Sequence, residues 1–461
     1  MLFNKIHFIG IGGISMSGLA KIMLAMGKRV TGSDMEENEE VIKLRELGID
    51  VQIGHDASNL PLDVEQVIVT AALLNDNPEV LAARAKNIPI WRRSQLIGYL
   101  MRDKVGVAVA GMHGKTTVSA MISTILEENS DDPTVLVGAN VKFLGTNAKL
   151  GQSDLVVAEA CEYQKSFLDF EPQIAVITNI EEEHLDTYHD LRGIIEAFTM
   201  FAAKVPIDGL LVGCLDDKNV LKVLKDRRAN KIGYGFAPQP KNFTGVYWQI
   251  LRPKKNMGKE GYRVKIDGEL MDYKLQLSLP GEVNILNAVA ALIVADFLTV
   301  PLVDSLISLA NFTGASRRFD IWGEKNGVVV VDDYGHHPTE IINTLNMVKQ
   351  QYPKRDLWVV FWPHQYERTR DFFDQFVTCF EGVKKVVVID IYAARATTVD
   401  KDKINSEKMV AAMKKRNIDA MYLATWPEAL SYVRDNIQAG NVLLTLGAGP
   451  IDQLARKYMQ S

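Results

Sequence analysis

Residues 105–118 read VGVAVAGMHGKTTV. An apolar run enters the turn Gly111-Met112-His113-Gly114-Lys115-Thr116-Thr117, and helical periodicity follows. Backbone N–H groups of such a turn can wrap a chain of phosphates. The Lys115 ammonium can reach the β- and γ-phosphates, and the Thr116 hydroxyl can ligate Mg2+. The strict form G-x-x-x-x-G-K-[ST] needs glycine at 109, where Val109 stands, so the loop is a shortened variant built on Gly111. Two later segments offer metal ligands at strand ends, where ligands gather in parallel sheets. One is Glu159-Ala160-Cys161-Glu162 and the other runs from Thr178 to Asp186. Glu162 and His184 are expected to converge on Mg2+ bound to ATP. Glu181, Glu182 and Glu183 are expected mostly as a solvated helix start, favoured there by the helix dipole.

Another glycine loop, the first along the chain, lies near the start, in KIHFIGIGGISMSG at residues 5–18. Gly10, Gly12 and Gly13 let a backbone approach a ligand closely, and the following helix start attracts phosphate. The pattern G-x-G-x-x-G would need glycine at 15, where Ser15 stands. Gly32-Ser33-Asp34 ends the next strand, and an acidic residue there commonly contacts a ribose or a base. Both NAD and a UDP-sugar satisfy these features.

A third set of polar residues occupies the last third. Ser316-Arg317-Arg318-Phe319-Asp320 offers paired guanidinium groups that can stabilise transferred phosphate. Asp332 and Asp333 can hold ribose or metal, and His336 and His337 a substrate. Residues 361–370, FWPHQYERTR, end the next strand in the same way. Two strand ends rich in His, Tyr and Arg predict an anionic small-molecule site facing the P-loop.

Positioning these groups requires strands that alternate with helices, and short Val/Ile runs do alternate with amphipathic stretches. That pattern predicts an α/β chain of parallel sheets with crossover helices. The first block has strands at 5–10, 28–32, 50–53 and 66–70, with helices at 14–26 and 38–48. The second has strands at 105–110, 133–138, 154–158, 174–178 and 208–213, and a helix at 114–128. Residues 238–280, punctuated by Pro238, Pro240, Pro253, Gly258 and Gly261, predict an antiparallel insertion or subsidiary sheet. Helices follow at 284–298 and 301–311. The third block has strands at 327–332, 356–361, 384–390, 418–423 and 442–446. Three nucleotide-fold-like units result.

Composition agrees. At 461 residues, 47% apolar and 24% charged, the chain can fill several cores. Its net charge of −5 lacks the basic surplus of a nucleic-acid binder. Three scattered cysteines, Cys161, Cys214 and Cys379, suit a reducing cytoplasm and no zinc site. No uncharged apolar run approaches the ~18 residues of a membrane span. Lys5 with the stretch Ile6 to Ala20 mimics a signal peptide, but its glycines and serines fit a ligand loop better.

Taken jointly and in order, HFIGIGGISMSG, GSD, AGMHGKTT, NIEEEHLDTY, PGEVNILNAVAA, SRRFD, DDYGHHPTE, FWPHQYERTR and LTLGAGPI resemble the Mur ligase family over nearly the whole chain. The resemblance implies a Rossmann-like UDP-sugar domain at 1–103. It implies a central P-loop ATPase domain at 104–313 and a Rossmann-like C-terminal amino-acid domain at 314–461. It implies that ATP phosphorylates the lactyl carboxylate of UDP-N-acetylmuramate and that the amine of L-alanine displaces the phosphate. By matching motif, Gly111, His113, Gly114, Lys115, Thr116 and Thr117 would bind ATP phosphates, and Glu162 and His184 would join Thr116 on Mg2+. Asn284 and Asn287 would contact adenine, Arg318 phosphate and Asp333 ribose. Gly12, Gly13, Ser33, Asp34, Thr70 and Arg93 would form the UDP site. Tyr334, His336, His364 and Arg368 would hold the alanine and the carboxyl end of the sugar. Lys115, Glu162, His184 and Arg318 would act at the reacting phosphate.

This chain departs from the family pattern at Met112, Val283, Gly335, Gln365 and the segment 160–164. Gln365 stands where Arg is usual, which removes a bidentate anion donor. Three other readings compete: a recycling ligase that adds a whole tripeptide, a nicotinamide-dependent oxidoreductase, and a non-catalytic nucleotide sensor. PHQYERT favours the single-alanine members. The oxidoreductase leaves Lys115, Glu162 and His184 without work, and their intactness speaks against the sensor.

Overall fold

The computed structural model describes residues 3–70, 76–253, 261–393 and 402–460, without the side chain of Asp186. Gly258, read above as punctuation, lies outside the described residues. The chain forms two compact units, one of Met1–Ser278 with Asn284–Thr313, the other of Leu279–Val283 with Gly314–Ser461.

The first unit contains two sheets. Its five-stranded sheet is parallel throughout, in the order Asp50–Ile53, Arg29–Asp34, Lys5–Ile9, Gln66–Val69, Ile90–Arg92. The strand Lys5–Ile9 is central and delivers the first glycine loop to the sheet's carboxyl edge. Its ten-stranded sheet has Val105–Ala110 between Ile174–Ile177 and Leu155–Glu159, all parallel. Val107, Val109 and Ala110 are fully buried, as expected for a strand covered on both faces. The helix Lys115–Glu128 is then buried at every position from Val118 to Leu126, with Val118, Met121, Ile122 and Ile125 in the core.

Residues 238–280 are not a subsidiary sheet. Val246–Leu251 pairs in parallel with Asn230–Gly235, and Tyr262–Ile266 and Glu269–Leu275 continue antiparallel from it. The central sheet is thus extended at one edge. The strand Asn230–Gly235, absent from the sequence expectation, makes the junction. Its lysine and two glycines mask an alternating pattern. At the other edge the hairpin of Thr134–Val141 and Thr146–Lys149 packs on the helix Ile14–Ala25, where Gly18 leaves room for Ala148.

The second unit has one six-stranded sheet, ordered Asp320–Lys325, Val328–Asp333, Val442–Leu446, Leu357–Phe361, Lys385–Val388, Ala420–Tyr422. Only the first of these is antiparallel. Sequence reading placed the five parallel strands and missed this edge. Among the described residues no helix is long and apolar enough to cross a membrane.

Candidate functional site

The second glycine loop is clamped from the neighbouring strand. Thr178 Oγ1 donates to His113 O at 2.6 Å, and Asn179 Oδ1 accepts from His113 N at 2.9 Å. Gly111 has φ +138°, and a Cβ there would lie 2.0 Å from Thr178 Oγ1, so only glycine fits. Gly114 turns left-handed at φ +82°, with Asn287 Oδ1 2.7 Å from where its Cβ would be. Asn284 and Asn287 are buried beside the loop, and each is close enough to contact the other. Thr117 lies half-buried on the helix that follows.

Lys115 Nζ lies 2.6 Å from Gly111 O, 3.0 Å from Met112 O and 2.9 Å from Glu162 Oε2. Burial works against its charge. Glu162, Cys161 and Glu159 outweigh that and raise its proton affinity above the ordinary lysine range. Glu162 is 2% exposed, with His184 Nε2 3.3 Å from its other oxygen. Burial alone would push its carboxyl up, but Lys115 and His184 hold it at about 2. His184 adopts a left-handed backbone at φ 51° and its ring centroid lies 4.8 Å from that of Tyr163. The expected cluster of Lys115, Glu162 and His184 is therefore brought together. Cys161, beside it, has its thiol pushed up by burial and by Glu162.

Sequence reading placed Glu159 in a candidate segment but gave the ligand role to Glu162. Its Oε2 accepts from Thr116 Oγ1 at 2.8 Å and from Gly138 N at 2.9 Å. The signal was available, because Glu159 is the last residue of its strand whereas Glu162 lies beyond it. The solvated helix start at 181–183 is corrected. Glu183 is 6% exposed, Glu181 pairs with His113, and the short helix begins only at Leu185.

At the first loop, Gly10 N and Ile11 N donate to Ser33 O at 2.8 and 3.0 Å. Gly12 N donates to Asp34 Oδ2 at 2.7 Å. Gly13 is the N-cap of the helix Ile14–Ala25. Thr70 packs over Gly10, its Cγ2 lying 2.9 Å from where a Cβ would be. Arg93 begins the helix Arg93–Met101 and is near enough to favour the thiolate of Cys161. Arg92 Nη2 and Ser94 Oγ on either side reach Asp169 of the central sheet's block at 3.0 and 2.5 Å.

In the second unit, Arg368 Nη1 is 3.0 Å from His364 Nδ1, and the rings of His336 and His364 are 5.7 Å apart. Tyr334 lies 5.3 Å from His336 and under the Arg318 guanidinium at 4.8 Å. Tyr334, His336, His364, Arg368 and Arg318 thus gather. Tyr392, not foreseen, faces His364 at 5.7 Å from the end of the next strand. His337, expected on a substrate, instead caps the helix Pro338–Gln351 through Nδ1 and Thr339 N at 3.3 Å. Asp333 accepts from Phe319 N and Gly335 N, each at 2.7 Å, and from Thr344 Oγ1 at 3.1 Å. Arg317 Nε meets buried Asp332 at 3.1 Å, and its Nη2 donates to Gly447 O at 2.6 Å.

Sequence models of the Mur ligase family match the chain in consecutive spans. The family's catalytic domain matches residues 5–105, its middle domain 109–295 and its glutamate ligase domain 317–449. The UDP-N-acetylmuramate–L-alanine ligase of Clostridium beijerinckii is 39% identical over 459 residues, 99% of this chain and 98% of that protein. The protein of the same name from Carboxydothermus hydrogenoformans is 42% identical over 456 residues, 98% of this chain and 96% of that one. The crystal structure of UDP-N-acetylmuramate-alanine ligase from Thermotoga maritima superposes with a TM-score of 0.82 at 28% identity, covering 99% of this chain and 98% of that one.

Proposed function

The chain belongs to the Mur ligase family, and from that membership we propose that it is an ATP-dependent ligase joining L-alanine to the lactyl carboxylate of UDP-N-acetylmuramate in peptidoglycan synthesis. One observation carries the reading. Lys115 and Thr116 each face a carboxylate of their own, Glu162 and Glu159, in a chain similar from end to end to alanine-adding ligases.

A carboxylate resists attack by an amine, so the reaction needs a leaving group. A lactyl oxygen attacks the γ-phosphorus of ATP, the bond to the β-phosphate oxygen breaks, and ADP departs. The deprotonated amine of L-alanine then attacks the acyl carbon, and the tetrahedral intermediate expels inorganic phosphate. In this reading the loop Gly111 to Thr117 wraps the phosphates, and Lys115 offsets charge on the transferred group. Glu162 keeps Lys115 protonated and, with His184, oriented. Asn284 and Asn287 border the nucleotide, while Arg318 and Asp333 take its phosphate and ribose.

Thr116, Glu159, Glu162 and His184 would hold Mg2+, since their donor set is dominated by hard oxygens. The ion supplies neutralisation of β- and γ-phosphate charge. Gly12, Gly13, Asp34, Thr70 and Arg93 take the sugar nucleotide, whereas Ser33, fully buried with its hydroxyl on Glu79, stands behind the loop. Tyr334, His336, His364 and Arg368 take the amino acid and the sugar's carboxyl end. The domains run 1–103, 104–313 and 314–461.

The test is phosphate release by purified protein with ATP, Mg2+ and UDP-N-acetylmuramate against L-alanine, glycine, L-serine and the recycling tripeptide. Release that requires both the sugar nucleotide and L-alanine is expected. A preference for the tripeptide, or release without an amine, would overturn the reading.

A further inference from the structure

The five-stranded sheet encloses a buried polar cluster that the roles above leave unused. His7, Ser33 and Glu79 are each 0% exposed, although they lie far apart in the chain. Glu79 Oε2 is 2.7 Å from His7 Nε2, both its oxygens are 2.8 Å from Ser33 Oγ, and Oε1 is 2.8 Å from His55 Nδ1. His7 Nδ1 is 2.8 Å from Thr31 Oγ1. One assignment accounts for these contacts: Thr31 donates to His7, His7 and Ser33 donate to Glu79, and the His55 Nδ1–H is shared between Glu79 and Ser33 Oγ, 3.1 Å away. Burial pushes the Glu79 carboxyl up, but its hydrogen bonds with His7, Ser33 and His55 hold it below the ordinary range.

A buried carboxylate is costly unless it is fully partnered, and apolar residues would fill this place at lower cost. What the cluster holds explains its presence. Ser33 is gripped through its side chain by Glu79, and its carbonyl receives Gly10 N and Ile11 N of the first glycine loop. The next residue, Asp34, receives Gly12 N. Glu79 is itself fixed, because its backbone N–H donates to the Asn77 cap at 2.9 Å. A rigid chain of contacts therefore runs from the helix Pro78–Ala85 to the loop.

We infer that Glu79 is a positioning residue for the sugar nucleotide. Acting through Ser33, it presets the glycine loop and Asp34 in their binding geometry, so that ordering them costs nothing on binding. This inference rests on the proposed reading of the first loop as the sugar-nucleotide site.

The test is steady-state kinetics of Glu79→Gln, Ser33→Ala and the double variant, with UDP-N-acetylmuramate, ATP and L-alanine varied in turn. Glu79→Gln is expected to raise KM for the sugar nucleotide about tenfold, the loss of one charge-assisted hydrogen bond. KM for ATP and kcat should stay within about twofold, well inside that effect. The double variant should be no worse than the worse single one, because both break the same link.

An unchanged sugar KM, an equal rise in all constants, or additive single effects would overturn the inference. If Glu79→Gln does not fold, His55→Gln at the cluster's outer end takes its place. About a threefold rise in the same constant is then expected, and none would refute the idea. Wild-type protein that ignored UDP-N-acetylmuramate would instead sink the proposed function, so the two failures are distinct.

Discussion

Glu162 and Asp332 are both carboxylates buried near the carboxyl edge of a parallel sheet, yet they lie at opposite ends of the acid scale. Burial opposes charge on each. At Glu162 the Lys115 ammonium at 2.9 Å and His184 at 3.3 Å outweigh it, and the carboxyl stays at about 2. At Asp332 burial wins over Arg317 at 3.1 Å and the Thr445 hydroxyl at 2.6 Å, helped by the like charge of Asp452, and the carboxyl rises to about 7. The groups that surround each carboxylate, rather than depth, decide which remains charged. The glycine-loop block keeps a charged carboxylate against Lys115. Asp332 belongs to the scaffold that ties Arg317 to the strand ends around Gly447.

The largest expected effect is to break the charged side of this comparison. Lys115→Ala should lower phosphate release about a thousandfold, the upper range for loss of one preorganised charge donor. Calorimetry should find the sugar nucleotide still bound with unchanged affinity. Retained turnover would remove Lys115, and with it Glu162, from the reacting centre.

Next, Glu159→Gln should raise the Mg2+ concentration for half-maximal activity by roughly 10- to 100-fold, and His184→Ala by less. A flat metal titration for Glu159→Gln would return the ligand role to Thr116, Glu162 and His184.

The smallest effect sharpens the contrast through pH. Asp332 has a folded value raised above its ordinary 3.8, so its stabilising contribution is complete below that pH and fades as pH rises through about 7. Glu162 is depressed from 4.5, so its contribution is present above that pH and fades as pH falls toward about 2. Urea midpoints of the wild type relative to Asp332→Asn should fall from pH 4 to pH 7. Those relative to Glu162→Gln should rise between pH 2 and 4.5. Parallel slopes would show that the two environments do not differ as described.

Much of this was legible in the residues. Apolar runs that feed glycine turns located the strands Lys5–Ile9 and Val105–Ala110. GKTT marked the loop's chemistry, and the strand-end rule brought Glu162 and His184 into consideration. Local pattern failed where a strand is short or interrupted, as at Asn230–Gly235 and the antiparallel edge Asp320–Lys325. It also failed for Glu183, whose acidic run suggested solvent. Glu159 was passed over for Glu162 although it ends its strand, because the reach of Thr116 to it is a tertiary fact. The cluster of His7, Ser33, His55 and Glu79 was invisible for a related reason, since His7 and Glu79 meet across 72 positions of chain.

By itself the sequence determined the periodicities, the glycines that permit tight turns and the inventory of ionisable groups, because these depend on neighbours within a few residues. Which carboxylate faces Thr116, which stays charged beside Lys115 and which braces the first loop were decided only by the folded chain. Hydrogen bonds and Coulomb interactions depend on distance in space, and burial sets their strength.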